Sequence, residues 1–283
     1  MNSFKYISPK TKEEALKILD ELGEKGKIVA GSTNVLPDIK AKKISSCVLV
    51  DISNLSELKG VNEVGDKIAI GSLTTINQLL QSNIIAREAQ VLWQACRNFA
   101  DPLVRNRATI GGNIVNASPA ADGVIPLLAL DATVCIESFA NGKKEAPLSE
   151  FFKGPGKTIL QSGDLVTSVN FPKASGMKSA FIKFGLRKAM AISLANIGVV
   201  LQINEDTITE ARIALGALAP TPLRARETEN YLRGKQINDE VMAEASQIIK
   251  TEIKPISDIR ASQAYRQHLT GVLLRRAIKA AIA

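Results

Sequence analysis

At 283 residues the chain is too long for one small core and suits two or three units of ordinary size. Its 45% apolar and 23% charged residues match a globular protein with a sizeable interior and exclude a disordered or low-complexity chain. The net charge of +8 comes from scattered cations without a helix-turn-helix, zinc or RNA-recognition signature, so no nucleic-acid partner is expected; a surface meeting anionic cofactors or an acidic partner subunit accounts for it equally well.

The opening "MNSFKYISPK" lacks the apolar stretch of a signal peptide, and no run approaches about eighteen apolar residues. Neither a leader nor a membrane span is expected, and the location is read as cytoplasmic. "SPKTKEEALKILDELGEKGK" predicts an amphipathic helix that opens at Ser8 and Pro9, carries Glu13 and Glu14 in its first turn and stops at Gly23. "KIVAGSTNVLPDIK" predicts a short apolar strand entering a Gly-Ser-Thr-Asn turn, and "CVLVDIS" a second buried strand. "KIAIGSLTTINQLLQS" reads as a strand, a glycine turn and a helix capped by Thr74 or Thr75, and another helix is expected around "REAQVLWQACRNFAD".

"RATIGGNIVNASPAAD" (107–122) is rich in residues that favour turns, so irregular backbone is expected before the apolar run "GVIPLLAL". "DATVCIES", "NGKKEAPLSEFF", "GPGKTIL" and "DLVTSVNFP" follow as short strands separated by turns, which argues for antiparallel pairing. A boundary is placed near Pro172 to Met177. Beyond it come strands "SAFIKFGLRK", "SLANIGVVLQIN" and "ITEARIALGALAP", then helices at "TENYLRG", "DEVMAEASQIIKTEI" and "SQAYRQHLTGVLLRRAIKAA". That order predicts an antiparallel sheet backed by helices, and the class of the whole chain is α+β.

Cys47, Cys96 and Cys135 are odd in number and far apart, which excludes CxxC pairs and four-thiolate sets within this chain; buried thiols are the simpler reading, with an intersubunit bridge left open. His268 is the single histidine, so Ser-His-Asp catalysis and a histidine-ligated metal have little room, and no catalytic residue or metal site is assigned. "AGSTN" (30–34) and "TIGGN" (109–113) each offer consecutive backbone amides that could converge on an anion, and together could bracket a pyrophosphate. Plain turn chemistry is the alternative for each. Neither loop fits GxGxxG or a P-loop, and "GPGKT" (154–158) lacks the upstream glycine. Asn113, Asn116, Ser118 and Asp122 add donors and acceptors suited to an extended ligand such as a dinucleotide.

"IVAGSTNVLPDIK" and "FADPLVRNRATIGGNIVNASPAADGVIPLLALDA" resemble the two FAD-contacting segments of the flavoprotein subunit of the molybdenum hydroxylases, the family of xanthine and carbon monoxide dehydrogenases. The likeness extends over essentially the whole chain through "GPGKTIL", "SAFIKFGLRKAMAIS", "GALAPTPLR" and "DIRASQAYRQHLTGVLLRRAI". It implies an FAD-binding domain of the vanillyl-alcohol-oxidase (PCMH) type over 1–175, in subdomains of about 1–55 and 56–175, followed by a C-terminal antiparallel sheet with helices, like that of the CO dehydrogenase flavoprotein, over 176–283. By the same resemblance Lys27, Ile28, Val29, Ala30, Gly31, Ser32, Thr33, Asn34 and Val35 form the first FAD loop. Phe99, Ala100 and Val104 lie along the flavin, with Phe99 on a ring face. Ala108, Thr109, Gly112, Asn113, Val115 and Asn116 form the second loop, Asp122 binds toward the adenosine end, and Val166 and Lys183 add two further contacts.

Lys183 would favour the electron-rich reduced ring by charge attraction, its alternative being an exposed strand lysine. Two positions depart from the family pattern: Ser32 replaces the usual second glycine of "AGSTN", and Ala191 stands where the run "RKAMAIS" usually carries an acid. The resemblance implies an electron-relay subunit that takes electrons from the iron–sulfur clusters of a 2Fe-2S small subunit, partnered by a molybdopterin-binding large subunit, and passes them to NAD or another acceptor. "GPGK" after "SEFF" makes xanthine dehydrogenase the nearest branch. A carbon monoxide or nicotinate dehydrogenase subunit, a standalone flavin oxidoreductase of the same fold and a basic binding module without flavin are the alternatives.

Overall fold

The computed structural model describes residues 4–44, 47–187 and 190–283. The chain begins with β1 (Lys5–Ile7), α1 (Lys12–Leu22), β2 (Gly26–Val29), α2 (Val35–Lys40) and β3 (Val48–Asp51). The three strands form a parallel sheet in the order β1-β3-β2. Helix α1 starts later than the Ser8-Pro9 expectation: Thr11 is its cap, with Oγ1 accepting from the Glu14 amide at 3.1 Å while Glu14 Oε2 accepts from the Lys10 amide at 2.7 Å. Gly23, at φ +54°, stops it as expected. Its face of Ala15, Leu16 and Leu19 is buried with Val50, Ile52 and Leu55. Each buried leucine contributes about 1.5–3 kcal/mol, more than the cap's about 1 kcal/mol, so packing holds this helix. The six residues "VLPDIK" form α2 rather than a continuation of the turn, Pro37 being tolerated in the first turn, where its missing N–H has no carbonyl to meet.

The second unit comprises β4 (Val61–Val64), β5 (Lys67–Gly71), α3 (Ile76–Gln81), α4 (Asn83–Glu88), α5 (Gln90–Arg97), α6 (Pro102–Arg105), α7 (Ile110–Val115), α8 (Val124–Ala129), β6 (Thr133–Ser138), β7 (Gly142–Pro147), α9 (Leu148–Phe151), β8 (Phe152–Gly154), β9 (Lys157–Thr158) and β10 (Leu165–Pro172). Its main sheet runs β4-β5-β10-β6-β7, antiparallel throughout, and β8 pairs with β9 as a small separate hairpin. Thr75, not Thr74, caps α3, in a capping box with Gln78. The apolar run after the second glycine motif is α8, with every residue from Val124 to Ala129 buried.

The remaining chain is β11 (Lys178–Phe184), β12 (Ala195–Asn204), β13 (Thr207–Gly216), β14 (Leu223–Arg224), α10 (Arg226–Leu232), α11 (Asp239–Thr251) and α12 (Gln263–Ile282). The strands form an antiparallel sheet in sequence order, and the helices bury their apolar residues with those of the sheet in one core. Lys188 and Ala189 of the run "RKAMAIS" lie outside the described residues.

Two contacts between units position the site. Helix α8 packs on β12 and β13, and α5 packs on β11, where Gln94 Oε1 accepts from the Phe181 amide at 2.7 Å. Val200 and Ala214 of the third sheet are accordingly part of the same buried core as α5 and α8. The segment between the second glycine motif and α8 is thereby pressed against the third sheet.

Candidate functional site

The turn after β2 is an amide cradle. Ser32 sits in the left-handed region at φ +63°, which turns the chain sharply into α2. Among the described residues the amides of Gly31, Ser32, Thr33, Asn34 and Val35 donate to no protein acceptor. Consecutive backbone donors left open in this way suit an anion, because leaving them sealed and unpaired would be costly. Gly31 is where this turn meets the second motif: a Cβ there would lie 1.8 Å from the Arg107 carbonyl oxygen and 3.2 Å from Ala108 Cα. Asn34 does not cap α2 with its side chain; its Nδ2 donates to Asn116 Oδ1 at 2.9 Å, across the two motifs.

The second motif is built differently from the sequence expectation. "TIGGN" is not an open turn of free amides but the start of α7, capped by Thr109, whose Oγ1 accepts from the Gly112 amide at 3.1 Å. The amides of Ile110, Gly111 and Asn113 are also taken, by Thr74 O, Ser72 O and Thr109 O at 2.9 to 3.0 Å. Tertiary contact overrides the poor helix propensity of two glycines: an isolated bridge joins Thr75 to Thr109, and Gly111 lies so close to Ser72 that a Cβ would sit 2.6 Å from its Cβ. The amides of residues 110 to 113 are thus spent on the fold, and the motif's contribution to a ligand is made by side chains and small exposed positions.

The expected site residues sort accordingly. Gly112, Val115 and Asn116 are exposed, Asn116 being the one bonded to the cradle through Asn34, and Asn113 is half-buried with its Oδ1 sealed against Gly123 and without a protein donor. Ala108 and Thr109 are buried, as is Val29, while Ile28 and Ala30 pack on the first core and Lys27 is exposed on β2. Phe99 and Val104 are half-buried against the main core, with Ala100 at φ +39° between them. The Phe99 carbonyl accepts from Arg105 Nη1 at 2.8 Å, and Arg105 Nε is buried without a partner. Val166 is packed inside the main core, so its side chain is not available to a ligand.

Asp122 and Lys183, 61 positions apart, form one ion pair with Nζ to Oδ2 at 2.6 Å. Both side chains are nearly buried. Asp122 Oδ1 accepts from Ser193 Oγ at 2.7 Å and from Asn196 Nδ2 at 2.8 Å. Lys183 Nζ also donates to the Asn98 carbonyl at 3.4 Å and lines a pocket of about 330 Å3 together with Asn98, Phe184, Leu186, Arg187 and Ala191. Lys183 is therefore not an exposed strand lysine, and three of the roughly four acceptor positions of Asp122 are taken by protein donors. The expectation for Asp122 is corrected accordingly: a residue in direct contact with Lys183 cannot stand at the adenosine end of an extended dinucleotide while Lys183 stands at the flavin ring, so Asp122 goes with Lys183. The sequence expectation omits Ser193, Asn196 and Asn98, because nothing local to them signals partners 71 to 85 positions away, and it omits Arg105, whose partner Phe99 is six positions off but is met through a backbone carbonyl that carries no sequence signal.

Among the described residues no group of three or more His, Cys, Asp or Glu side chains could hold a metal ion, and no helix is long and apolar enough to cross a membrane. An open amide run, amide side chains on both motifs and a lysine at the edge of a pocket suit a ligand with an anionic centre and a polar ring. The donor set fits FAD.

Known proteins bear on this arrangement. Residues 2–174 match the FAD binding domain in molybdopterin dehydrogenase, and residues 180–281 match the CO dehydrogenase flavoprotein C-terminal domain. The chain is 33% identical over 276 residues to the glyceraldehyde dehydrogenase medium chain of Sulfolobus acidocaldarius, covering 98% of this chain and 97% of that one. It is 32% identical over 281 residues to the xanthine dehydrogenase FAD-binding subunit of Escherichia coli O157:H7, covering 98% and 96%. Among solved structures, a chain of carbon monoxide dehydrogenase from Hydrogenophaga pseudoflava matches with a TM-score of 0.95 at 32% identity, over 99% of this chain and 98% of that one.

Proposed function

The chain belongs to the FAD-binding medium subunits of the molybdenum hydroxylases, and from that membership we propose that it is the electron-relay subunit of a xanthine dehydrogenase-like complex, passing electrons to NAD or another acceptor. The observation that carries this reading is the open amide run of Gly31 to Val35, closed onto the second motif by the Asn34–Asn116 hydrogen bond. When bound, FAD supplies chemistry that joins one-electron donors to a two-electron acceptor.

The chain's own residues bind and orient it. Amides 31–35 neutralise the diphosphate without a metal. Asn113 and Asn116 add side-chain contacts, and Phe99 and Val104 offer half-buried apolar surface to the ring. Lys183 places a positive charge where a reduced ring gains electron density, and Asp122 tempers that charge. The partners, by family membership, are a molybdopterin-binding large subunit and a 2Fe-2S small subunit. The FAD-binding unit is taken as 1–175, in subdomains of about 1–55 and 56–175, and the C-terminal unit as 176–283.

Copurification of the tagged chain with its partners tests the reading, followed by flavin absorbance, molybdenum and iron analysis, and turnover with xanthine and NAD. Flavin and metals with xanthine-dependent NAD reduction are expected. A colourless protein would refute the relay. Flavin and metals without xanthine turnover would refute the choice of branch alone.

A further inference from the structure

Asp122 is the point where the segment leading into α8 meets the third sheet, and its three donors come from two strands of that sheet and the segment between them. Lys183 lies on β11, Asn196 on β12, and Ser193 in the segment joining them. Asn196 is fully buried and Ser193 nearly so, and Asn196 Nδ2 reaches Ser193 Oγ at 3.3 Å as well as Asp122. The neighbouring strand is shaped around Asn196. Its register partner on β13 is Gly216, where a Cβ would lie only 2.1 Å from Asn196 Oδ1. That Oδ1 is itself buried without a donor, a desolvation cost that a leucine at this place would avoid. Packing alone therefore does not account for Asn196.

Two of the three Lys183 donors go to Asp122 and to the Asn98 carbonyl, which leaves the third for an occupant of the pocket that Lys183 lines. How much positive field that occupant feels depends on how fully Asp122 compensates the ammonium. Donors on Oδ1 draw part of the carboxylate charge away from Lys183.

We propose that Ser193 and Asn196 are positioning residues that, by holding Asp122 Oδ1, fix Lys183 at the pocket wall and set how much of its charge reaches the bound flavin. The proposal rests on the reading that places the flavin ring beside Lys183. Each donor removed leaves more of the carboxylate charge facing Lys183, which weakens the preference for reduced over oxidised flavin. Removing the carboxylate charge does the opposite.

The test is the midpoint potential of the flavin in the FAD-loaded full chain, measured by dye-equilibrated reductive titration beside flavin stoichiometry and thermal unfolding. Ser193→Ala and Asn196→Ala are expected to lower the preference for reduced flavin threefold to tenfold, tenfold being about 30 mV for a two-electron couple. Asp122→Asn is expected to raise it. Ser193→Ala removes a single oxygen and carries the test if Asn196→Ala fails to fold. In a Lys183→Met background Ser193→Ala should shift nothing further, because a residue acting through Lys183 is coupled to it. Equal shifts of Ser193→Ala with and without Lys183, or shifts of one sign in Ser193→Ala and Asp122→Asn, would overturn the positioning role while the flavin site stands. A Lys183→Met chain whose flavin potential does not move would instead refute the placement of the ring beside Lys183, and the positioning role with it.

Discussion

Gly31→Ala is the sharpest perturbation of the cradle. The added Cβ would lie 1.8 Å from the Arg107 carbonyl oxygen and 2.7 Å from the Arg107 carbonyl carbon, and both are backbone atoms that no rotamer change removes. Relief requires the turn and the second motif to separate by more than about an ångström, since packed atoms do not approach within such distances. The Asn34–Asn116 hydrogen bond, 2.9 Å in the structure, cannot span that gap. Overpacking costs about 1–3 kcal/mol and the lost hydrogen bond about 1 kcal/mol, so about 2–4 kcal/mol is divided between folding and FAD binding. If half falls on binding, the FAD Kd rises about 5- to 30-fold. Quenching of FAD fluorescence on titration measures the binding share, and denaturant unfolding of the apo chain measures the rest. A Kd within twofold of the unsubstituted chain, together with an unmoved unfolding midpoint, would refute the reasoning.

Gly112→Val provides the contrast. Gly112 is exposed and a Cβ there meets only Thr109 Oγ1, at 2.9 Å, so the unfolding cost should stay at about 1 kcal/mol, that of disturbing the Thr109 cap, while FAD occupancy falls; unchanged flavin content would count against a ligand at this position. Ser32→Gly removes a side chain from φ +63°, where the left-handed conformation costs about 1–2 kcal/mol, against about 0.5–1 kcal/mol of added glycine entropy, so the apo chain should gain about 0.5–1 kcal/mol by denaturant unfolding. A loss of stability would show that the Ser32 side chain is needed there. Arg224→Met should destabilise by about 3–5 kcal/mol, because it leaves the buried Glu229 carboxylate without the guanidinium held at 2.6 Å; adding Glu229→Gln should recover part of that loss, and an equal or larger loss in the double variant would argue against an uncompensated charge as the cause. Burial pushes the Cys96 thiol up to about 12, so at pH 8 it should stay silent to a thiol reagent in the native chain and react only after unfolding, whereas prompt native labelling of Cys96 would show an open core.

The sequence by itself determined the α+β order of elements, since apolar periodicity and turn residues act locally: α1, α3 and α12, and the antiparallel strands from β6 onward, all follow from spacing, caps and Asn-Gly or Ser-Gly punctuation. It also marked both glycine motifs and their asparagines, because unusual runs of small and polar residues stand out without knowledge of their neighbours. Only the tertiary structure decided how the motifs are used. Gly111 and Gly112 read as turn formers, yet the Thr75–Thr109 bridge and the close approach to Ser72 hold them in α7, leaving the open amides to the first motif alone. Asp122 meets Lys183, Ser193 and Asn196, 61 to 74 positions downstream, because α8 packs on the sheet they belong to or adjoin, and Asn196 keeps its place because Gly216 opposite has no side chain. Such couplings arise from the packing of distant segments, which local propensity does not encode, and they set the charge beside the pocket.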